Sequence, residues 1–170
     1  MCSQGVHRSD AELNARKCKV LEGTQFVEKA WRDIKVGDVL RVESGENFPA
    51  DLILVSSSEP EGLCYIETSN LDGEVNLKIK QALSQTSSIL NPVDMKQLQG
   101  IIRSEQPNNR LYNYDGVFST SSMNEVGKSR DYALDPTQLL LRGAQLRNTL
   151  WIYGIVVFTG HETKLMLNSR

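Results

Sequence analysis

Between residues 18 and 68, apolar and polar side chains alternate in short runs and do not recur at helical spacing. Lys19-Val20-Leu21, Val39-Leu40-Arg41-Val42, Leu52-Ile53-Leu54-Val55 and Cys64-Tyr65-Ile66-Glu67 are β-prone. Turn-forming residues separate them: Glu22-Gly23, Val36-Gly37-Asp38, Ser44-Gly45-Glu46 and Glu59-Pro60-Glu61-Gly62. Strands of about four to six residues, roughly ten apart, predict an antiparallel sandwich or barrel. Phe48-Pro49-Ala50-Asp51 enters its strand through a proline, which is tolerated at a strand's start but not mid-sheet.

Beyond residue 84 the chain turns polar, and Asn91-Pro92 opens a helix predicted over residues 93–98, closed by Gly100. Further strands are predicted over residues 101–103, 111–120, 139–143 and 150–159, and a helix over residues 160–166. Residues 119–135 are rich in Ser, Asn and Gly and are expected to form a mobile loop. At the other end, residues 1–8 read as a disordered tail or an expression remnant. Ser9, with Asp10 and Glu12 behind it, suits the N-cap of a helix over residues 10–17. Residues 9–170 then form one mainly β domain with short peripheral helices.

Composition narrows the classes. With 39% hydrophobic and 24% charged residues in 170, the chain suits a globular domain with its own core. Its net charge of −2 and scattered Lys and Arg argue against a nucleic-acid partner. The longest apolar run, residues 150–158, is about half of what a membrane helix needs. Cys2, Cys18 and Cys64 form no CxxC pair, and no Asn-x-Ser/Thr acceptor occurs. These features favour a soluble domain in a reducing, cytosolic setting.

The chemistry concentrates in one place. Asp72-Gly73 reads as a tight hairpin turn that presents the Glu74 carboxylate. Two carboxylates this close cannot flank a sugar as a glycosidase requires, and one turn offers too few oxygens for a hard cation. His161 reads as a surface histidine at a helix boundary, since no nucleophile accompanies it. Lys78 and Lys80 alternate as the solvent side of a strand. The residues alone therefore describe a β-rich domain with an acidic loop, open to a catalytic or an interaction role.

Longer phrases carry a resemblance. Trp31-Arg-Asp-Ile-Lys-Val-Gly-Asp38 and Phe48-Pro-Ala-Asp51 resemble the opening of P-type ATPase actuator domains. Residues 56–74, ending in Thr68-Ser-Asn-Leu-Asp-Gly-Glu74, are similar to the type IV branch, the phospholipid flippases. Ser104-Glu-Gln-Pro-Asn108, Leu141-Arg-Gly-Ala-Gln-Leu-Arg-Asn-Thr149 and Val157-Phe-Thr-Gly-His-Glu-Thr-Lys-Leu-Met166 follow in family order, with wording like that of fungal aminophospholipid flippases.

The resemblance implies a distorted jelly roll on the cytosolic face of a membrane, between membrane helices, with both chain ends on one side. It assigns the catalytic role to Glu74, which would activate the water that hydrolyses an aspartyl-phosphate, while Asp72, Gly73 and Val75 shape the loop. Val75 departs from the family wording, Asp-Gly-Glu-Thr, by lacking the hydroxyl. No Asp-Lys-Thr-Gly-Thr phosphorylation motif occurs. ATP and Mg²⁺ would thus belong to other domains of a parent protein, with no cofactor or metal in this chain and no turnover of its own. The implied partners are the phosphorylation domain of the same polypeptide and an accessory membrane glycoprotein subunit. The phospholipid would be handled by membrane helices of a parent in an endomembrane such as the Golgi or in the plasma membrane. The alternative from a different class is a stand-alone β-sandwich interaction module with an acidic binding loop.

Overall fold

The computed structural model describes residues 15–121 and 129–169. Among these the strands are β1 (Lys17–Glu22), β2 (Gln25–Ala30), β3 (Val39–Glu43), β4 (Asp51–Ser57), β5 (Leu63–Glu67) and β6 (Lys78–Gln81). They continue with β7 (Gly100–Ser104), β8 (Gly116–Ser121), β9 (Ser129–Leu134), β10 (Leu139–Leu140), β11 (Gln145–Arg147) and β12 (Trp151–Phe158). Short helices α1 (Ser69–Asp72), α2 (Pro92–Gln97) and α3 (Lys164–Asn168) lie between or after them.

A six-stranded sheet in the order β10-β4-β12-β3-β1-β2 is the backbone of the domain. Two three-stranded sheets, β11-β5-β6 and β7-β8-β9, accompany it. One core cluster joins Leu52 and Leu54 of β4, Val42 of β3 and Ile152 of β12 to Cys64, Ile66 and Leu146 of the β11-β5-β6 sheet. A second joins Ile53, Leu139 and Phe158 to Phe118 and Leu134 of the β7-β8-β9 sheet. Side chains on a strand alternate between faces, so β4 is covered on both sides and every one of its residues is buried. That is why Leu52-Ile53-Leu54-Val55 reads as a continuous apolar run rather than an alternation.

The mainly β, sandwich-like fold is the one expected, with differences in detail. The strand expected over residues 111–120 begins only at Gly116. The preceding residues form a strap, because Asn108 turns its side-chain oxygen onto the Arg110 amide (3.0 Å) and competes with ladder pairing. Residues 129–134, expected within a mobile loop, are strand β9. Tyr132 stacks opposite Phe118 of β8, with ring centroids 6.5 Å apart, a cross-strand pair that anchors this polar strand. β10 stops at Leu140, three residues short of expectation, because the chain bends into a corner where Gly143 has φ +91°. The expected tail, residues 1–8, most of the expected N-terminal helix and residues 122–128 lie outside the described residues.

Near the start of the described residues, Arg16 is tied to Trp31. The Trp31 amide donates to the Arg16 carbonyl (2.8 Å). Trp31 also shares a cleft with Thr159 and Gly160, at the start of the C-terminal segment.

Asp51 ties the corner together. Its side chain is fully buried, and its two oxygens accept from the backbone amides of Arg142 (2.9 Å) and Lys164 (2.8 Å). Around it, Phe48 and Gly143–Ala144 interlock: the Gly143 amide donates to the Phe48 carbonyl (3.0 Å) and the Phe48 amide to the Ala144 carbonyl (2.9 Å). Three of the phrases singled out in the sequence thus meet at one carboxylate.

Burial pushes the Asp51 carboxyl up to about 6, against the pull of the two amides and of the Lys164 and Arg142 charges; its ordinary value is 3.8. The native state therefore binds the extra proton between these values. The Asp51 contribution to stability is full below about pH 4 and declines as the pH rises to about 6. Asp51→Asn replaces one acceptor by an amine and orphans a buried amide. It is expected to cost about 1–3 kcal/mol in urea denaturation near neutral pH and to remove the pH slope in that window. An unchanged midpoint and slope would contradict this role.

Candidate functional site

The Glu74 loop rises from that corner. Thr68, buried, starts a single helical turn, α1, in which the Asp72 amide donates to the Thr68 carbonyl (3.0 Å) and the Gly73 amide to the Ser69 carbonyl (3.0 Å). Gly73 ends the turn in the left-handed region, φ +76°, a position that glycine occupies without a Cβ penalty. The Asp72-Gly73 pair is therefore a helix C-cap and not the two-residue hairpin turn its composition predicts. β5 and β6 do pair antiparallel, but residues 68–77 separate them as an excursion. Leu71 packs on both core clusters, and the Asn70 side-chain amide donates to the Gly143 carbonyl (3.4 Å). These contacts fix the base of the excursion to the Arg142–Gly143 corner.

Above the base stands a polar cluster centred on Asp72, whose side chain is 13% exposed. Its oxygens accept from the Thr68 hydroxyl (3.1 Å to each), the Glu74 amide (2.9 Å), the Lys78 ammonium (3.0 Å) and the Tyr112 hydroxyl. The Lys78 ammonium also lies over the Tyr112 ring, 4.3 Å from its centroid. Glu74 itself projects outward, 62% exposed, with Lys78 3.3 Å away. Such a pair at the surface holds a carboxylate only weakly. Val75, next to Glu74 in the chain, is exposed, as is Tyr112, which reaches Asp72.

The cluster has one electrostatic outcome. Partial burial works to raise the Asp72 carboxyl, but the bonds from Tyr112, the Glu74 amide, Lys78 and Thr68 outweigh it. They hold Asp72 well below the usual carboxylate range. The Tyr112 hydroxyl is raised, chiefly by its bond to Asp72. For Lys78, burial favours the neutral form, yet the bonds to Asp72 and Glu74 win and raise it. Asp72 thus takes most of the local cation, and Glu74 keeps open lone pairs at the apex.

Sequence reasoning placed Asp72, Gly73, Glu74 and Val75 together, as the structure does, and missed Thr68, Lys78 and Tyr112 as their supports. His161 is exposed at the start of the C-terminal segment, outside this cluster. Among the described residues, no group of three or more His, Cys, Asp or Glu side chains could hold a metal ion. No described helix is long and apolar enough to cross a membrane.

Residues 12–129 match the family model of the P-type ATPase actuator domain. The chain is 60% identical over 162 residues, 95% of its length, to a phospholipid-transporting ATPase of Schizosaccharomyces pombe. It is 51% identical over 172 aligned residues, covering 99% of this chain, to a phospholipid-transporting ATPase of Saccharomyces cerevisiae. With a phospholipid-transporting ATPase of Caenorhabditis elegans it shares 45% identity over 96% of its length. This chain belongs to the P-type ATPase actuator-domain family. The chain spans only 12% to 14% of the length of these three relatives. Membership in that family, with likeness to phospholipid-transporting ATPases along nearly the whole chain, replaces the alternative of a stand-alone interaction module.

Two measurements test the site as built. A group whose folded pKa is depressed contributes fully above its unfolded value and loses that contribution as the pH falls through the folded one. The Asp72 cluster should therefore stay intact above about pH 4 and give way only in stronger acid. The carboxyl-carbon resonance of Asp72 should keep its ionised position from about pH 8 down to about pH 4. A step centred on the ordinary carboxylate value would show that the cluster does not form. At Val75, 72% exposed, a threonine meets no crowded neighbour, so Val75→Thr should change unfolding free energy by less than about 0.5 kcal/mol. A larger shift in thermal denaturation would mean that this side chain packs.

Proposed function

We propose that this actuator domain supplies Glu74 as the general base for hydrolysis of an aspartyl-phosphate carried on a phosphorylation domain of the same polypeptide. The reading rests on one observation above all: within an actuator domain, Glu74 is the carboxylate held out at the apex of a braced loop while its neighbour Asp72 is tied down. In the step proposed, Glu74 takes a proton from water as the water oxygen bonds to phosphorus. The bond from phosphorus to the aspartate oxygen breaks, leaving inorganic phosphate and a free aspartate. A carboxylate suits this task because it accepts a proton without needing to lose one first. Gly73 lets the backbone approach a phosphate without a side chain in the way, and Val75 borders the same apex.

We infer a parent that is an ATP-driven phospholipid translocase, with residues 9–170 as its cytosolic loop between membrane helices. The names of the relatives support that substrate class. ATP and Mg²⁺ would act on domains outside this chain, and the isolated domain would have no turnover. The lipid would be carried by membrane helices of the parent, in an endomembrane such as the Golgi or in the plasma membrane. An accessory membrane glycoprotein subunit would accompany it.

In the full-length parent, Glu74→Gln should form phosphoenzyme normally from labelled ATP and then retain it, with decay slowed roughly 100-fold or more. Decay at the wild-type rate would refute the assignment of the base.

A further inference from the structure

We propose that Tyr112 is a positioning residue for Glu74, delivered to the loop by a strap whose far end is fastened to α3. This rests on the reading of Glu74 as the base. The strap is the segment between β7 and β8, residues 105–115. At one end Glu105 closes it by donating its amide to the Asp115 carbonyl (2.9 Å). In its middle the Lys164 ammonium, fully buried, donates to Glu105 (3.0 Å) and to the Asn108 side-chain oxygen (2.7 Å). The Asn168 side chain of α3 donates to the Asn109 carbonyl (2.8 Å). Tyr112 follows within four residues of the anchors at Asn108 and Asn109, so its hydroxyl reaches Asp72 from a framed backbone and not from a free loop.

The geometry at Asp72 explains why one hydroxyl matters. One oxygen, Oδ1, accepts the Glu74 amide (2.9 Å), which sets where the Glu74 backbone lies. The other, Oδ2, accepts Lys78 (3.0 Å) and Tyr112. Together they fix the rotation of the carboxylate, and through it the direction of the loop. Lys78 alone is a poor guide, because an ammonium on a flexible stem is a point charge that follows its partner. Tyr112 is rigid, carries a directional hydroxyl and is tied to a separate part of the fold. It also lies over Lys78, so its ring restrains the cation as well. The strap therefore makes the direction of Glu74 depend on α3, although neither Lys164 nor Asn168 touches the loop.

The test uses the full-length parent and compares Tyr112→Phe with Glu74→Gln. Tyr112→Phe keeps the ring over Lys78 and removes only the hydroxyl. It should leave the rate of phosphoenzyme formation and the KM for ATP unchanged and slow phosphoenzyme decay about three- to tenfold, the worth of one ordinary net hydrogen bond that matters in the transition state. In a Glu74→Gln background the same change should slow decay no further, because a residue that acts only through Glu74 has nothing left to position. Asp72→Asn should reproduce the slowing and be non-additive with Tyr112→Phe. Wild-type decay in Tyr112→Phe, with Glu74→Gln stalled, overturns the positioning role and leaves the base assignment standing. Additive slowing on top of Glu74→Gln, or slowed formation together with slowed decay, also overturns it. Normal decay in Glu74→Gln removes the base assignment itself, and this inference with it.

Discussion

A carboxylate with no exposed surface holds this domain's working corner in shape. Asp51 accepts amides from residues 91 and 113 positions further along the chain, on the turn after β10 and on the first residue of α3. A buried charge is costly unless its lone pairs are met, and two backbone amides meet them without adding side-chain entropy. Everything the Glu74 loop leans on follows from that corner. Gly143 offers its carbonyl to Asn70, Leu71 packs where the two cores meet, and Lys164 starts α3 with its ammonium turned to the strap. The motif phrases that look functional in the sequence are, for the most part, the parts of this joint.

Two carboxylates two residues apart take opposite parts because their surroundings differ. Asp72 is enclosed by donors from three separate segments and stays ionised. Among the described residues Glu74 is paired with a half-buried lysine already engaged by its neighbour. Separation of roles by environment, with the same chemical group tied in one place and open in the other, is a general way to prepare a base.

Five of the six strands of the main sheet were legible, because their apolar runs and turn residues are local signals; β2 was missed, since its Phe26 and Val27 stand between polar residues. β9 escaped notice since its exposed residues, Ser129, Arg130 and Asp131, are those of a loop; Tyr132 against Phe118 and the ladder to β8 reveal it. Glu74 was legible through the wording around it. Its supports were not: Tyr112 meets Asp72 across forty residues, and nothing in Leu-Tyr-Asn-Tyr-Asp announces such a partner. The Asp72-Gly73 reading failed for a related reason. A glycine with positive φ serves a hairpin and a helix end equally well, and only the ten-residue separation of β5 and β6 decides between them.

β12 lies between β3 and β4 in the middle of the main sheet. The strand that completes the sheet's centre is therefore the last one made. At typical elongation rates of about 5–20 residues per second, β3 and β4 emerge from the ribosome roughly 5–20 s before the strand that separates them. During that interval the edges of β3 and β4 that face β12 have no native partner, and pairing with each other would close the gap that β12 must fill. The centre of the sheet therefore closes late, after most of the domain's other strands have been made.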